Sequence, residues 1–150
     1  MSAYAKVLVA VDGSEAADKG LREAIRVAKA GDAQLIMLHI VNELLAYYAM
    51  DGAGLSVDLS QQLRDSGRRI LDKTGARAAR QGLAAKSVMR EVVSGSAAQA
   101  IVREAKKQRA DLIVLGTHGR RGMTRLMMGS DAEEVVRSAP VPVLLVRAGG

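Results

Sequence analysis

The sequence predicts a single α/β domain with an open, five-stranded parallel sheet and helices on both faces. Short apolar runs alternate with stretches of helical period along all 150 residues, which is typical of a series of β-α-β units. Connections between parallel strands are right-handed, and this arrangement covers both faces of the sheet with helices. No linker, repeat or low-complexity segment interrupts the pattern, so residues 1–150 are expected to form one domain.

The first half of the chain is predicted to hold two strand–helix units. The turn Asp12-Gly13-Ser14 ends the first strand, and Gly31-Asp32 is a stop signal for the first helix. The segment from Asn42 to about Val57 has no clear period and is predicted to be an irregular surface loop. The predicted elements are strands over Tyr4–Val11 and Gln34–Val41, and helices over Glu15–Ala30 and about Asp58–Gln81.

The second half is predicted to hold three strands and two shorter helices. Ser96 with Gln99, and Ser130 with Glu133, match the capping-box pattern that opens a helix. Pro142 cannot donate a ladder hydrogen bond, so it marks the last strand as an edge strand or as one with an unusual pairing position. The predicted elements are strands over Ser87–Val93, Asp111–Leu115 and Val141–Val146, and helices over Ser96–Gln108 and Ser130–Ser138.

Composition narrows the class of protein. The chain has no cysteine, which excludes disulfides and thiolate metal sites. No apolar run reaches the roughly 18 residues that a membrane span requires. The segment Met1–Ala10 lacks the organisation of a signal peptide, and a cytoplasmic protein without a membrane partner is therefore expected.

The charge balance favours anionic partners. The formal net charge is +6, and the second helix carries a basic stripe of Arg69, Lys73, Arg77 and Arg80. A solvated surface explains the same charges equally well. The only aromatic residues are Tyr4, Tyr47 and Tyr48, and this scarcity weighs against a nucleic-acid partner whose bases stack on aromatic rings.

Glycines after the fourth strand mark the expected ligand site. Ligands of open α/β sheets bind beyond the carboxyl ends of the strands, where Asp12 and Gly116 are predicted to lie. Gly116 and Gly119 allow a turn with positive φ and a close backbone approach, and Gly129-Ser130 precedes a helix whose free N–H groups favour a phosphate. The alternative is that these glycines only shape a long turn and that Ser130 is only a cap.

Known phosphoryl-transfer motifs are absent from the sequence. There is no Walker A motif, and the kinase glycine loop and its HRD and DFG elements are missing too. The expected function is therefore binding without turnover, or with slow ATP hydrolysis at most. His118, within the loop, is expected to be a local hydrogen-bonding residue, and His39 a structural side chain.

The chain resembles the universal stress protein family, in particular its nucleotide-binding branch. The family pattern is a glycine, two residues, a glycine, nine residues, then glycine with serine or threonine. Gly116, Gly119, Gly129 and Ser130 match each position. The likeness extends to Val-Asp-Gly-Ser at 11–14, Leu-His-Ile at 38–40 and Pro-Val-Pro-Val-Leu-Leu-Val at 140–146.

This resemblance implies a fold like that of the adenine nucleotide alpha hydrolases, with strand order 3-2-1-4-5. It also implies a stress-response dimer, joined through the last strand Val141–Val146, that binds ATP or another adenine nucleotide. The end of the first strand would contact base and ribose, Ile40 would pack on adenine, and the loop would hold the phosphates with Mg²⁺. The implied binding residues are Ala10, Val11, Asp12, Ile40, Gly116, Gly119, Gly129 and Ser130.

Several alternatives remain open from the sequence. Asp12 binds ribose or, through phosphates, a metal, or it is only an Asx-turn residue. Asp131 stands where the family usually has valine, which predicts either weaker, metal-dependent ATP binding or preference for a less charged nucleotide. Arg120, Arg121 and Arg125 clamp phosphates or are solvated. The alternative functions are a stress interaction protein that binds no nucleotide and a basic nucleic-acid-associated protein. The stress-pathway partner is not identifiable from the sequence.

Overall fold

A computed structural model describes residues 3–43, 57–117 and 129–148. Within these ranges the chain forms five strands and four helices in the predicted order. The predicted loop between Asn42 and Val57 falls largely outside the described residues. The strands are β1 (Lys6–Ala10), β2 (Gln34–Asn42), β3 (Ala85–Val92), β4 (Leu112–Thr117) and β5 (Val143–Arg147). The helices are α1 (Glu15–Gly31), α2 (Val57–Arg80), α3 (Ala97–Gln108) and α4 (Ser130–Ser138).

The five strands form one parallel sheet with the order β3-β2-β1-β4-β5, which confirms the prediction. The central strand β1 pairs with both β2 and β4; Val9, for example, aligns with Met37 on one side and Val114 on the other. After β1 the chain continues to β2 toward one edge of the sheet, and after β4 it continues to β5 toward the opposite edge. That reversal opens a crevice at the carboxyl ends of these strands.

Two aliphatic clusters cover the two faces of the sheet. Side chains alternate along a strand, so Leu8 faces one cluster and Val9 the other. α1 and α2 pack on the face of Val9 through residues such as Leu21 and Leu71. α3 and α4 pack on the face of Leu8, and the predicted two-sided cover is thus confirmed. Among the described residues, no helix is both long and apolar enough to cross a membrane.

One predicted helix start is correct and the other is wrong. Ser96 forms the expected capping box, because its hydroxyl accepts from the Gln99 N–H and the Gln99 side chain accepts from the Ser96 N–H. At α4, however, the N-cap is Gly129, which has no side chain to donate or accept. Ser130 is already the first helical residue, so its hydroxyl does not cap, and Glu133 pairs with Arg137 instead.

The last strand lies at an edge of the sheet, as Pro142 predicted. The Pro142 carbonyl accepts a hydrogen bond from the Ile113 N–H at 3.0 Å, which requires no N–H from the proline. The Ala148 N–H in turn donates to the Thr117 carbonyl. Because backbone direction alternates along a strand, the N–H groups of residues 143, 145 and 147 point away from β4, toward the open edge.

Candidate functional site

A cleft of about 450 Å³ lies at the carboxyl ends of β1, β2 and β4. The structure brings seven of the eight predicted binding residues to its walls: Ala10, Val11, Asp12, Ile40, Gly116, Gly129 and Ser130. The eighth, Gly119, lies outside the described residues, as do His118 and the arginines Arg120, Arg121 and Arg125. Sequence positions more than 100 residues apart thus share one concave surface, at the place where the topology of the sheet reverses.

The turn between β1 and α1 forms one wall of the cleft. Asp12 Oδ1 accepts a hydrogen bond from the Ser14 N–H at 2.8 Å, which is the Asx turn foreseen as one alternative. Gly13 provides the positive φ of 83° that this turn requires. The Asp12 side chain is exposed, and within the described residues its Oδ2 accepts no hydrogen bond. The turn role therefore leaves one carboxylate oxygen facing the cleft.

His39 fixes the end of β1 from behind. The ring is buried, and Nδ1 lies 2.8 Å from the Val11 carbonyl. A carbonyl only accepts, so Nδ1 carries the proton and donates. The expectation that His39 is structural is confirmed. Its neighbour Ile40 points to the opposite face of the strand and lines the cleft.

Gly116 belongs to β4 and not to the loop, so the predicted end of this strand at Leu115 is too early. Gly116 aligns with Val146 of β5, and its φ is not positive. A Cβ at this position would lie 1.9 Å from the Ala16 carbonyl oxygen. The close approach that the missing side chain permits is thus to the backbone of α1. The predicted positive φ at Gly116 is wrong, but its position in the wall of the cleft is confirmed.

The N-terminal ends of three helices converge on the cleft. Ala16 and Ala17 of α1, Ala97 of α3 and Ala132 of α4 all line it. Unpaired N–H groups and the helix dipole make such ends electropositive. The sequence motifs had indicated only α4 for this role. The serine caps at the other two helices were visible in the sequence, but only the fold shows that they border the same space.

The three helix ends differ in their capping. The Ser14 hydroxyl accepts from the Ala17 N–H at 3.1 Å, and the Ser96 hydroxyl accepts from the Gln99 N–H at 3.1 Å. At α4 the N-cap is Gly129, so among the described residues this helix start has no side-chain cap. The first N–H groups of α4 have no acceptor within the helix. Of the described helix ends at the cleft, α4 is therefore the one best prepared to donate to an anion.

Two carboxylates qualify this electropositive character. Asp131, in the first turn of α4, is exposed and lines the cleft, as does Asp12. No group of three or more histidine, aspartate or glutamate side chains able to hold a metal ion occurs among the described residues. Asp12 and Asp131 are the carboxylates of the described cleft wall that could contribute ligands to a divalent cation.

A partly buried ion pair anchors α3 beside the cleft. Glu104 is buried on α3. It accepts hydrogen bonds from Nε and Nη2 of Arg90 of β3, at 2.9 and 3.0 Å, and from the Gln108 side chain at 2.7 Å. Burial raises the pKa of the Glu104 carboxyl, but the hydrogen bonds from Gln108 and Arg90 and the charge of Arg90 outweigh it, so that the pKa lies below its usual value. Arg90 aligns with Ile40, a cleft residue.

The model of the universal stress protein family matches residues 3–147. The chain belongs to this family. A universal stress protein of Methanocaldococcus jannaschii is 33% identical over 144 residues, covering 96% of this chain and 82% of that protein. One from Bacillus subtilis is 30% identical, covering 96% and 99%.

Solved structures of the universal stress protein family share the fold. One from Burkholderia pseudomallei superimposes with a TM-score of 0.77 at 33% identity, covering 95% of this chain and 96% of that one. A universal stress protein in complex with cAMP has a TM-score of 0.72 at 24% identity, covering 99% and 100%. One from Archaeoglobus fulgidus in complex with dAMP has a TM-score of 0.68 at 20% identity, covering 95% and 98%.

Proposed function

We propose that this universal stress protein binds an adenine nucleotide in the cleft, with the phosphates on the N-terminus of α4. The observation that carries the proposal is the uncapped start of α4 at Gly129, beside Gly116 and opposite the end of β1. An uncapped helix end offers N–H donors and a positive dipole without requiring a lysine or arginine. Ser130 is exposed at this point and adds a hydroxyl donor.

The wall opposite α4 suits an adenine base and a ribose. Ala10, Leu38 and Ile40 supply apolar surface for a flat ring, and the backbone at Val11 and the free oxygen of Asp12 supply polar partners. The cAMP and dAMP complexes of related proteins support the same class of ligand. The shared fold makes a common binding region the simplest proposal for this chain.

The number of phosphates on the ligand depends on Asp131. A carboxylate in the first turn of α4 repels phosphate oxygens unless a cation lies between them. Two forms of the proposal follow: ATP bound with Mg²⁺, the metal being held by phosphate oxygens with Asp12 or Asp131, or a nucleotide of lower charge such as AMP. ATP is the ligand that the sequence resemblance implies. Comparing the affinities for AMP and ATP with and without Mg²⁺ distinguishes the two forms.

We further propose that the bound nucleotide acts as a signal and is turned over slowly or not at all. Asp12, the acid at the mouth of the cleft, is committed on one oxygen to its own turn, and His39 is buried behind the strand. The described cleft wall contains no histidine, so a carboxylate–histidine pair that would activate a water molecule is not assembled there. The nucleotide would instead bias contacts of a homodimer joined through β5, whose open edge carries outward N–H groups.

Calorimetric titration with AMP, ADP and ATP, each with and without Mg²⁺, tests the proposal. We expect micromolar binding of at least one adenine nucleotide, and at least tenfold weaker binding to Gly129→Asp, because its carboxylate faces the phosphate site. Gln62→Glu adds the same charge on exposed α2 and is the matched control. Phosphate release from ATP well above that of Gly129→Asp would contradict slow turnover.

One observation favours a second candidate function, an interaction protein that binds no nucleotide. Asp131 places a negative charge where a phosphate would otherwise sit, so that it compensates the dipole of α4 by itself. In that case none of the three nucleotides would bind to the wild-type protein, while Asp131→Val would regain binding. The same calorimetric series therefore separates the two candidates.

A further inference from the structure

A second concave surface lies between the helices α1 and α2, on the outer side of the layer that they form. This basic groove has a volume of about 450 Å³ and shares no lining residue with the nucleotide cleft. Five of its described lining residues are cationic, namely Arg22, Arg26 and Lys29 of α1 and Arg77 and Arg80 of α2. No acidic residue is among the described residues that line the basic groove.

Acidic neighbours compensate only part of this charge. Arg26 pairs with Glu23 at 2.9 Å, and Arg77 pairs with Asp18 at 3.2 Å. Within the described residues, Arg22, Lys29 and Arg80 form no ion pair. Two of the five cations of the basic groove thus have an acidic partner, and the positive charges of the other three are not paired within the described residues.

Helix dipoles do not account for the whole cluster. Lys29, Arg77 and Arg80 stand in the last turns of their helices, where a cation is favoured. Arg22 and Arg26 lie earlier in α1, beyond the reach of that effect. The helix ends therefore account for three of the five cations of the basic groove.

We propose that the basic groove binds a linear phosphate chain, such as inorganic polyphosphate. Four of the five cations are arginines, whose planar guanidinium groups bind phosphate oxygens in pairs. A chain of adjacent phosphates matches several guanidinium groups gathered in one groove. No aromatic side chain is among the described lining residues, which disfavours a single-stranded nucleic acid, whose bases commonly stack on aromatic rings.

Calorimetric titration of the full chain with inorganic tripolyphosphate and with a longer polyphosphate, at about 150 mM salt, tests this proposal. We expect the longer chain to bind more tightly, and the double variant Arg22→Gln, Arg80→Gln to bind it at least tenfold more weakly. Both substituted residues are exposed, so the fold is expected to persist, and circular dichroism verifies this.

The matched control is Arg103→Gln, Lys106→Gln, which removes two exposed charges from α3 on the other face of the sheet. We expect it to change the affinity less than about twofold. Equal losses in the two double variants would overturn the proposal, because binding would then follow net charge alone. Loss in Gly129→Asp with an unchanged groove variant would also overturn it, by assigning the phosphates to the cleft. Equally tight, groove-dependent binding of an oligothymidylate of the same charge would overturn the choice of polyphosphate.

Discussion

At the scale of single residues, Gly116 is where packing and the candidate site meet. Gly20 of α1 lies against it, since a Cβ on Gly20 would be 3.0 Å from the Gly116 nitrogen. The two glycines let α1 approach β4 backbone to backbone. This contact sets the position of the α1 N-terminus at the cleft. Gly116 therefore contributes to the site by allowing α1 to pack close to β4.

Gly116→Ala is expected to destabilise the protein by about 2 kcal/mol or more, because the new Cβ meets backbone atoms of Ala16 that cannot move alone. Gly75→Ala is the matched control. Gly75 lies within α2, and a Cβ there would be 3.4 Å from Cε of the flexible Met37 side chain. Gly75→Ala should therefore raise the free energy of unfolding by about 0.5–1 kcal/mol. Urea unfolding measures both, and equal effects of the two substitutions would contradict the packing role.

Asp131 is the residue that we propose to determine the phosphate preference of the cleft. Without Mg²⁺, Asp131→Val is expected to bind ATP about two- to tenfold more tightly than the wild type, and AMP with a smaller gain, because repulsion grows with phosphate charge. Glu133→Gln removes an equal charge from the same turn at a residue outside the cleft wall and should change neither affinity. Identical ATP affinity in the wild type and Asp131→Val would remove Asp131 from the account.

At the scale of elements, the helices bordering the cleft divide into capped and uncapped. Ser96→Ala removes a capping box and is expected to lower the free energy of unfolding by about 1 kcal/mol. Ser130→Ala removes a hydroxyl that caps nothing, and should leave stability almost unchanged while weakening nucleotide binding. Thermal unfolding and calorimetry compare the two variants. A larger stability loss in Ser130→Ala would restore its role as a cap.

The anchoring of α3 to β3 should depend on pH. The pKa of Glu104 is lower in the folded protein than in the unfolded chain, so its contribution to stability is complete above the unfolded value and is lost as the pH falls through the folded value. Urea unfolding at pH 7 and pH 3 should therefore show a smaller acid-induced loss in Glu104→Gln than in the wild type. Glu133→Gln, on the exposed side of α4, serves as the control. An equal loss in Glu104→Gln would contradict this assignment.

At the scale of the whole molecule, the open edge of β5 leads to the proposed homodimer. The N–H of Arg147 points away from β4, so Arg147→Pro removes an edge donor while keeping the ladder to β4. By light scattering at micromolar concentration we expect a dimer for the wild type and for Arg147→Ala, and a weaker dimer for Arg147→Pro. A wild-type monomer would contradict the assembly.

The sequence predicted the architecture well because each level of the pattern agreed. Apolar runs, capping signals and Pro142 gave the element order and the edge strand, and the strand order came with the family resemblance. It placed Gly116 and Gly129 near one ligand site, and both line the cleft. It did not predict that Gly116 contacts α1, because that contact joins residues 100 positions apart. For the same reason the basic groove was visible only as a stripe on α2, without its partners Arg22, Arg26 and Lys29.

The central claim is that the uncapped start of α4 holds the phosphates of an adenine nucleotide. The most direct measurement is a two-dimensional ¹⁵N–¹H NMR titration of the labelled protein with AMP and with ATP. We expect the largest shifts at the amides of residues 130–132, together with those at Val11 and Ile40. Saturating shifts confined to other surfaces, or none at all at the amides of 130–132, would contradict it.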